Sequence, residues 1–281
     1  MTAGGSVAGV DFSGAVDCGR RLWVARGTAR PGGGVRFDTL MRGEELPDGG
    51  RGAGSCFPAL VEWLGKLPGG AIAGLDFPFG LPEAIAALAD CPPQPGGWTA
   101  FVAGFEARFP SADEFRRRCA EAAGGREWKR VTDIANRTPF CPWNLRMYRQ
   151  TWAGIARVVA PLVVSGRAVG LPMQAPDPGK PGLIEACPAS GLKVRGQYAP
   201  YKGRGLAEEG RRRALLEWLS DDSTPFAGRC VVPEQLAARA LANTGGDALD
   251  ALLCAEAAAR ALAAGDWSCS PAEALEAKVF A

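Results

Sequence analysis

Four aspartates stand at places in the chain where a ligand site would form. Asp11 and Asp76 each end an apolar run that predicts a strand, and Asp247 and Asp250 lie in the first turn of a predicted helix. In open α/β sheets, ligands bind at the carboxyl ends of the strands. Carboxylate oxygens are ligands that suit Mg²⁺ and Mn²⁺. We therefore predict that these four residues are metal ligands and that the cofactor is Mg²⁺ or Mn²⁺.

Each of these aspartates also has a purely structural interpretation. Asp11 or Asp76 alone could start a turn by accepting backbone hydrogen bonds. Asp247 could cap the helix, with Asp250 in the first turn, where the helix dipole favours both charges. Asp250, however, shares a helical stripe with Leu253 that should face the core, and a buried carboxylate is costly unless it is paired or metal-bound. This position, and the repeated strand-end Asp, favour a functional site.

Glu185 lies inside a short apolar run, 182–186, that predicts a buried strand. One interpretation makes it a metal ligand or a residue that supports the ligands. The other makes it the partner of Lys193, Lys202 or an arginine in a buried ion pair. Both interpretations stay open, and Glu185 joins the four aspartates in the set of candidate catalytic residues.

Histidine is missing from all 281 residues. Its absence excludes Ser-His-Asp and Cys-His catalysis, and it excludes zinc sites with His ligands. Hydrolysis by a water molecule that divalent ions activate requires no His. The absence of His and the strand-end carboxylates are therefore consistent with the same chemistry, which is metal-dependent hydrolysis of a phosphodiester.

Residues that could bind an anionic substrate fall in two regions. Tyr201, Lys202 and Arg204 lie in a predicted loop that also contains Gly and Pro. Aromatic rings beside cations suit phosphate contact and base stacking, although an ordinary loop packed on the domain could carry the same residues. Asn144 and Arg146, near the start of a long predicted helix, complete the candidate substrate-binding residues.

Five predicted strands must position these side chains. Three of them follow one another across Gly- and Pro-rich turns, as in a meander, and helices separate the last two. The predicted strands are 7–12, 21–26, 35–41, 71–77 and 182–186. This order predicts an α/β fold, namely a ribonuclease H-like mixed five-stranded sheet flanked by helices.

Residues 83–165 show only helical patterns and predict a helical insertion between strands 4 and 5. Within it, the polar segment 130–144 fits neither helix nor strand clearly, and we expect it to cover the site. We predict a single domain over residues 1–281 that includes this insertion.

Composition limits the class of protein. The net charge of +2 neither requires nor excludes a nucleic-acid partner. No apolar run is long enough to span a membrane, and the first residues lack the pattern of a secretory signal. Nine Cys residues without a CxxC pair indicate reduced thiols. We therefore expect a cytoplasmic protein with no membrane partner, and the oligomeric state stays open.

The motifs around the acidic residues resemble those of a known family. They are GVDFSG at 9–14, GLDFPFGLP at 74–82, EACPA at 185–189 and GDALDA at 246–251. Together with segments 144–151 and 201–204, they are similar to domain-of-unknown-function family 429 over nearly the whole chain. The resemblance implies a ribonuclease H-like fold and a predicted nuclease activity.

The acidic pattern also resembles that of Holliday-junction resolvases. In those enzymes a first-strand Asp, a fourth-strand acid and a pair of Asp residues on a late helix bind the metals. Asp11, Asp76, Asp247 and Asp250 match these positions, although Asp76 stands where that superfamily often has Glu. This resemblance implies metal-dependent cleavage of a phosphodiester.

Two other functions share some of these features. A phosphotransferase or ATPase of the sugar-kinase and actin type has the same strand core, and residues 11–14 could form its first phosphate loop, but no second glycine-rich loop is evident. A non-catalytic nucleic-acid-binding module could keep the fold, although the retained acids disfavour it. The leading expectation is a divalent-metal-dependent nuclease.

Overall fold

One mixed sheet forms the centre of the protein. The computed structural model describes residues 4–88, 97–221 and 230–281. The sheet has seven strands in these residues: β1 (Ser6–Asp11), β2 (Trp23–Ala29), β3 (Val35–Arg42), β4 (Ile72–Leu75), β5 (Val169–Gly170), β6 (Gly182–Ala186) and β7 (Val279–Phe280). Their order is β3-β2-β1-β4-β6-β5, and β7 pairs with the end of β6. β2 is antiparallel to β1 and β3, whereas β1, β4 and β6 are parallel.

The α/β class is confirmed, and the expected count of five strands is wrong. Each of the five predicted strands overlaps one of β1, β2, β3, β4 and β6. The two additional strands, β5 and β7, both pair with β6. They have two residues each, which is too short for a periodic pattern to show.

Helices cover both faces of the sheet. They are α1 (Cys18–Arg21), α2 (Ala53–Gly65), α3 (Glu83–Leu88), α4 (Gly97–Arg108), α5 (Ala112–Ala122), α6 (Val131–Ala135), α7 (Tyr148–Gly154), α8 (Ala160–Val164), α9 (Pro188–Val194), α10 (Leu206–Ser220), α11 (Glu234–Ala242), α12 (Asp247–Ala264) and α13 (Pro271–Glu276). A wider π-helical turn, Ile155–Val159, joins α7 to α8. None of the helices in the described ranges has the length and apolarity that a membrane crossing requires.

The described part of the segment between β4 and β5 contains α3 to α8. The predicted helical insertion over 83–165 stays a prediction, and its residues 89–96 lie outside the described residues. The helix expected from Asn144 begins at Tyr148 instead, after a turn in which the backbone carbonyl of Asn144 accepts hydrogen bonds from the N–H groups of Met147 and Tyr148. The single-domain boundary stays a prediction.

Successive side chains of β1 point to opposite faces of the sheet, and each face packs against its own layer of helices. Val7 packs with the cluster that contains Leu252 and Ala255 of α12. Val10 belongs to the cluster on the other face, which contains Leu60 of α2. Since side chains two residues apart lie on the same face of a strand, Asp11 is on the face that α12 covers.

Candidate metal centre

Asp11, Asp76 and Asp250 meet at the carboxyl ends of β1 and β4. One carboxylate oxygen from each residue lies within 4.8 Å of those of the other two. Asp11 and Asp250 are buried, Asp76 is half-buried, and all three line a cleft of about 580 Å³. Small side-chain rotations would let all three oxygens contact a single ion, at the oxygen-to-ion distances of about 2.0–2.6 Å that are found for Mg²⁺ and Ca²⁺. The donor set therefore fits one hard divalent cation.

The register of β1 and β4 explains why two of these residues are neighbours. Gly9 pairs with Gly74 in the parallel ladder, and Asp76 N donates to Val10 O at 2.9 Å. Each Asp is two residues beyond its glycine and so lies on the same face of the sheet. Asp11 and Asp76 therefore project side by side beneath α12.

Glycines at positions 9 and 74 bring α12 close enough to add Asp250. A Cβ atom on Gly9 would lie 2.1 Å from Ala251 O, and a Cβ atom on Gly74 would lie 2.5 Å from Cys254 O. The backbone of the helix thus contacts the backbone of both strands. As a result, the first turn of α12 places Asp250 directly over the strand ends.

Both carboxylate oxygens of Asp250 have polar partners. The Tyr201 hydroxyl donates to Oδ1 at 2.5 Å, and Lys202 Nζ lies 2.6 Å from Oδ2. Tyr201 is buried and Lys202 is half exposed in the cleft. The loop that the sequence assigned to substrate binding is therefore joined directly to the acidic centre.

Burial and the repulsion of neighbouring carboxylates both oppose ionisation of Asp11, Asp76 and Asp247. Burial raises the pKa of Asp11 well above its ordinary value, and the charge of Asp250 raises it further, while Lys202 lowers it. The same causes raise the pKa of Asp76 to about 7. Burial also raises the pKa of Asp247, against the effect of Lys202. A divalent cation would offset this repulsion.

Asp247 lines the same cleft. Among the described residues, the group of oxygens within 4.8 Å of one another comes from Asp11, Asp76 and Asp250 and does not include Asp247. It is the first residue of α12, and Gly246, with φ of +81°, is the N-cap. The interpretation of Asp247 as the cap is therefore wrong. Asn243 Oδ1 accepts a hydrogen bond from Ala248 N at 3.1 Å. It thereby binds one of the backbone N–H groups in the first turn of α12 that have no partner within the helix. The role of Asp247 as a metal ligand stays a prediction.

Glu185 is part of a buried ion pair, one of the two interpretations that the sequence left open. Arg130 donates to its two oxygens at 2.5 and 2.7 Å and to Asp133 at 2.8 and 2.9 Å. The backbone N–H of Phe79 donates to Glu185 Oε2 at 2.8 Å. Burial raises the pKa of Glu185, and Arg130 opposes that effect. Glu185 lines the cleft, where these contacts fix the end of β6, and its catalytic role stays a prediction.

Three of the five predicted substrate-binding residues line the cleft: Tyr201, Lys202 and Arg146. Arg204 and Asn144 lie outside the described lining. The Asn144 side chain donates to Glu127 and accepts from the backbone N–H of Arg146. Asn144 therefore supports the backbone that carries Arg146 and does not face the aspartates.

Three aromatic rings of the lining have cations beside them, and one of these rings is Tyr201, with Lys202 Nζ 5.9 Å from its centroid. Arg146 Cζ lies 5.5 Å from the centroid of Phe140, and Lys193 Nζ lies 5.2 Å from that of Tyr198. The segment 130–144, expected to cover the site, contributes Phe140 and several other residues to the wall of the cleft. Anionic and planar groups could both be bound here.

Sequence reasoning missed two residues that hold the site in place. The buried guanidinium of Arg212, on α10, donates to Tyr201 O at 2.7 Å and to Gly203 O at 2.9 Å. Gln150, on α7, donates to the backbone carbonyl of Asp76. One available signal for Arg212 was its helical spacing from the buried Leu216, four residues later, because that spacing shares a face.

Comparison with known proteins adds a family but no activity. A family model described as "Protein of unknown function (DUF429)" matches residues 9–276. No curated protein and no solved structure matches the chain. Since the matched segment contains the whole acidic centre and nearly the whole chain, the protein belongs to the DUF429 family.

Proposed function

We propose that this protein is a divalent-metal-dependent phosphodiesterase that cleaves nucleic acid. The observation that carries the proposal is the convergence of Asp11, Asp76 and Asp250 within 4.8 Å in one cleft. Carboxylates this close repel one another unless a cation or a proton is shared among them. Oxygen donors of this kind bind Mg²⁺ and Mn²⁺.

A ribonuclease H-like fold is part of this proposal. The antiparallel strands β1, β2 and β3 are followed by the parallel strands β4 and β6, as the order of elements in the sequence led us to expect. The short strands β5 and β7 are additions beside β6. The acids then occupy the ends of the first and fourth strands and the start of a late helix.

In this proposal, different residues of the cleft bind the metal ion, the phosphate and the bases. When bound, a divalent ion would activate a water molecule and offset charge on the phosphate. The three aspartates would hold that ion. Lys202 and Arg146 would donate hydrogen bonds to phosphate oxygens, which fixes the position of the chain without reading its sequence. Tyr198 and Phe140 would stack against bases.

Cleavage assays with a matched variant test this proposal. Purified protein is incubated with single-stranded and duplex DNA and RNA in Mg²⁺, in Mn²⁺ and in a chelator. We expect cleavage that requires the ion and that falls by about a hundredfold or more in Asp11→Asn, because a ligand is lost. Asp38→Asn, an exposed strand residue outside the cleft, is the control and should keep full activity. Cleavage that survives in Asp11→Asn would contradict the proposal.

One observation counts against the phosphotransferase or ATPase alternative. A phosphate loop after β1 would need open space beside Gly14. A Cβ atom on Gly14 would instead lie 2.4 Å from the carbonyl carbon of Arg149 and 2.6 Å from Gln150 N, because α7 packs on this loop. Thermal stabilisation of the protein by ATP and Mg²⁺, beyond that by Mg²⁺ alone, would favour this alternative.

A further inference from the structure

We further propose that the ammonium group of Lys202 is a permanent cation of the acidic centre, so that the centre binds one divalent ion and not two. This inference rests on the proposed function, because it assumes a divalent ion at Asp11, Asp76 and Asp250. In two-metal sites the ions lie about 4 Å apart and share carboxylate ligands. The contacts of Asp250 determine whether a second ion has room.

Each oxygen of Asp250 already has one polar partner, and Lys202 Nζ occupies the position beside Oδ2 that a second ion would need. Oδ1 accepts from the Tyr201 hydroxyl at 2.5 Å, and Oδ2 lies 2.6 Å from Lys202 Nζ. Magnesium would need to approach such an oxygen to about 2.1 Å. An ammonium group at 2.6 Å fills that position, whereas each oxygen keeps a second lone pair that can face an ion shared with Asp11 and Asp76.

The charges of the centre favour the same count. The three clustered aspartates carry three negative charges when ionised. One divalent ion and the ammonium of Lys202 carry three positive charges, so the two together neutralise the cluster. Asp247, in the same cleft, adds a fourth negative charge. Two divalent ions and Lys202 would carry five positive charges, and this excess would lie beside the buried side chains of Asp11 and Asp250, which is costly.

The protein holds the backbone of Lys202 on both sides. Arg212 donates to Tyr201 O and Gly203 O, the carbonyl groups before and after Lys202, at 2.7 and 2.9 Å. Gly203 N donates to Thr244 O at 2.8 Å, which ties the loop to the segment that leads into α12. Lys202 is therefore fixed relative to Asp250 by the fold and not only by its own charge.

Lys202 can also contact substrate from this position. Its side chain is 52% exposed and lines the cleft. An ammonium group has three N–H donors, and Asp250 Oδ2 takes one of them. The remaining donors can bind an anionic oxygen of the substrate. In two-metal sites the second ion has this role.

Counting bound Mn²⁺ tests the inference without reference to activity. The metal-free protein is titrated with MnCl₂, and free Mn²⁺ is followed by its electron paramagnetic resonance signal. We expect one bound ion per wild-type chain and two in Lys202→Met, which vacates the second position. Lys202→Arg keeps the cation and should bind one ion. Lys66→Met, exposed at the end of α2, is the matched control and should also bind one.

The outcomes separate this inference from the function on which it rests. Two ions in the wild-type protein would overturn the inference and leave the proposed function in place. One ion in folded Lys202→Met, at unchanged affinity, would also overturn it. No Mn²⁺ binding at all in the wild-type protein would contradict the proposed function itself. If Lys202→Met does not fold, as circular dichroism would show, the counts for the wild-type protein and Lys202→Arg decide, and two ions in either would overturn the inference.

Discussion

Asp76 lowers the stability of the metal-free protein. Asp76 is half-buried beside two other carboxylates, and burial together with the charge of Asp250 raises its pKa to about 7. The pKa of an Asp in an unfolded chain is about 3.9. Between these two values the folded protein binds a proton at Asp76 that the unfolded chain has lost. Folding therefore loses stability as pH rises from about 4 to about 7, and the full loss persists above pH 7.

Asp76→Asn should stabilise the metal-free protein in a pH-dependent way. The neutral amide removes the repulsion, and the shift corresponds to a gain on the order of 2–4 kcal/mol at pH 8. The gain should shrink as pH falls, become small near pH 4 and disappear below about pH 3, where Asp76 is protonated in both the folded and the unfolded state. Urea unfolding in a chelator at pH 4.5, 6 and 8 measures it. Glu217→Gln, exposed on α10, is the control and should change the free energy of unfolding little. A gain for Asp76→Asn that did not vary with pH would refute the explanation.

At the scale of elements, the site depends on how closely one helix approaches two strands. α12 contacts β1 and β4 through backbone atoms, and only the absence of side chains at Gly9 and Gly74 permits this. The same contact sets the distance from Asp250 to Asp11. Packing and metal binding therefore depend on the same two glycines.

Gly9→Ala should destabilise the fold and weaken metal binding together. The added methyl group would meet Ala251 O at 2.1 Å and Ala255 N at 2.3 Å, so α12 must move away. We expect a loss of about 3 kcal/mol, at the upper end for overpacked cores, and a weaker affinity for Mn²⁺. Urea unfolding and Mn²⁺ titration measure the two effects.

The control for this variant is Gly54→Ala in α2. A Cβ atom there would meet no atom within 4 Å. Because Ala favours a helix over Gly, stability should stay the same or rise by up to about 1 kcal/mol. Equal stability of Gly9→Ala and the wild-type protein would show that α12 does not pack as tightly as described.

The elements that carry the acids were largely predictable, because β1, β4 and α12 have strong local patterns. Apolar runs that end in Asp11 and Asp76 mark the strand ends, and Gly245-Gly246 marks the start of α12. The contacts between elements were not predictable from these patterns. Arg130 and Glu185 are 55 residues apart, and nothing in the sequence around either one indicates its partner. The pair of Tyr201 and Asp250, 49 residues apart, escaped prediction for the same reason.

At the scale of the whole molecule, one arginine joins three distant parts of the chain. Arg130 is fully buried, precedes α6, and donates to Glu185 at the end of β6 and to the backbone carbonyl of Glu276 at 3.2 Å. The carboxylate of Glu276 in turn accepts hydrogen bonds from the backbone N–H groups of Glu83 and Val131. The helical segment, the sheet and the C-terminal segment thus share one polar network under the cleft.

Arg130→Met should destabilise the protein by about 3–5 kcal/mol, because it leaves Glu185 and Asp133 buried without their cation. The double variant Arg130→Met/Glu185→Gln should recover part of this loss, since one of the two uncompensated carboxylates is gone and only Asp133 remains buried without its cation. Urea unfolding at pH 7 measures both. Arg117→Met, which breaks exposed pairs with Glu114 and Glu121, should cost no more than about 1 kcal/mol. A similar small loss for Arg130→Met would contradict the importance of the network.

The close approach of α12 to the sheet also restricts how members of the family can vary. The nearest atoms that an added methyl group would meet at Gly9 and Gly74 are main-chain atoms of α12, which no compensating side-chain substitution can remove. Positions 9 and 74 should therefore remain glycine in any relative that retains the three aspartates, while the surrounding apolar positions exchange freely. A relative with a larger residue at either position should have lost the acidic residues as well.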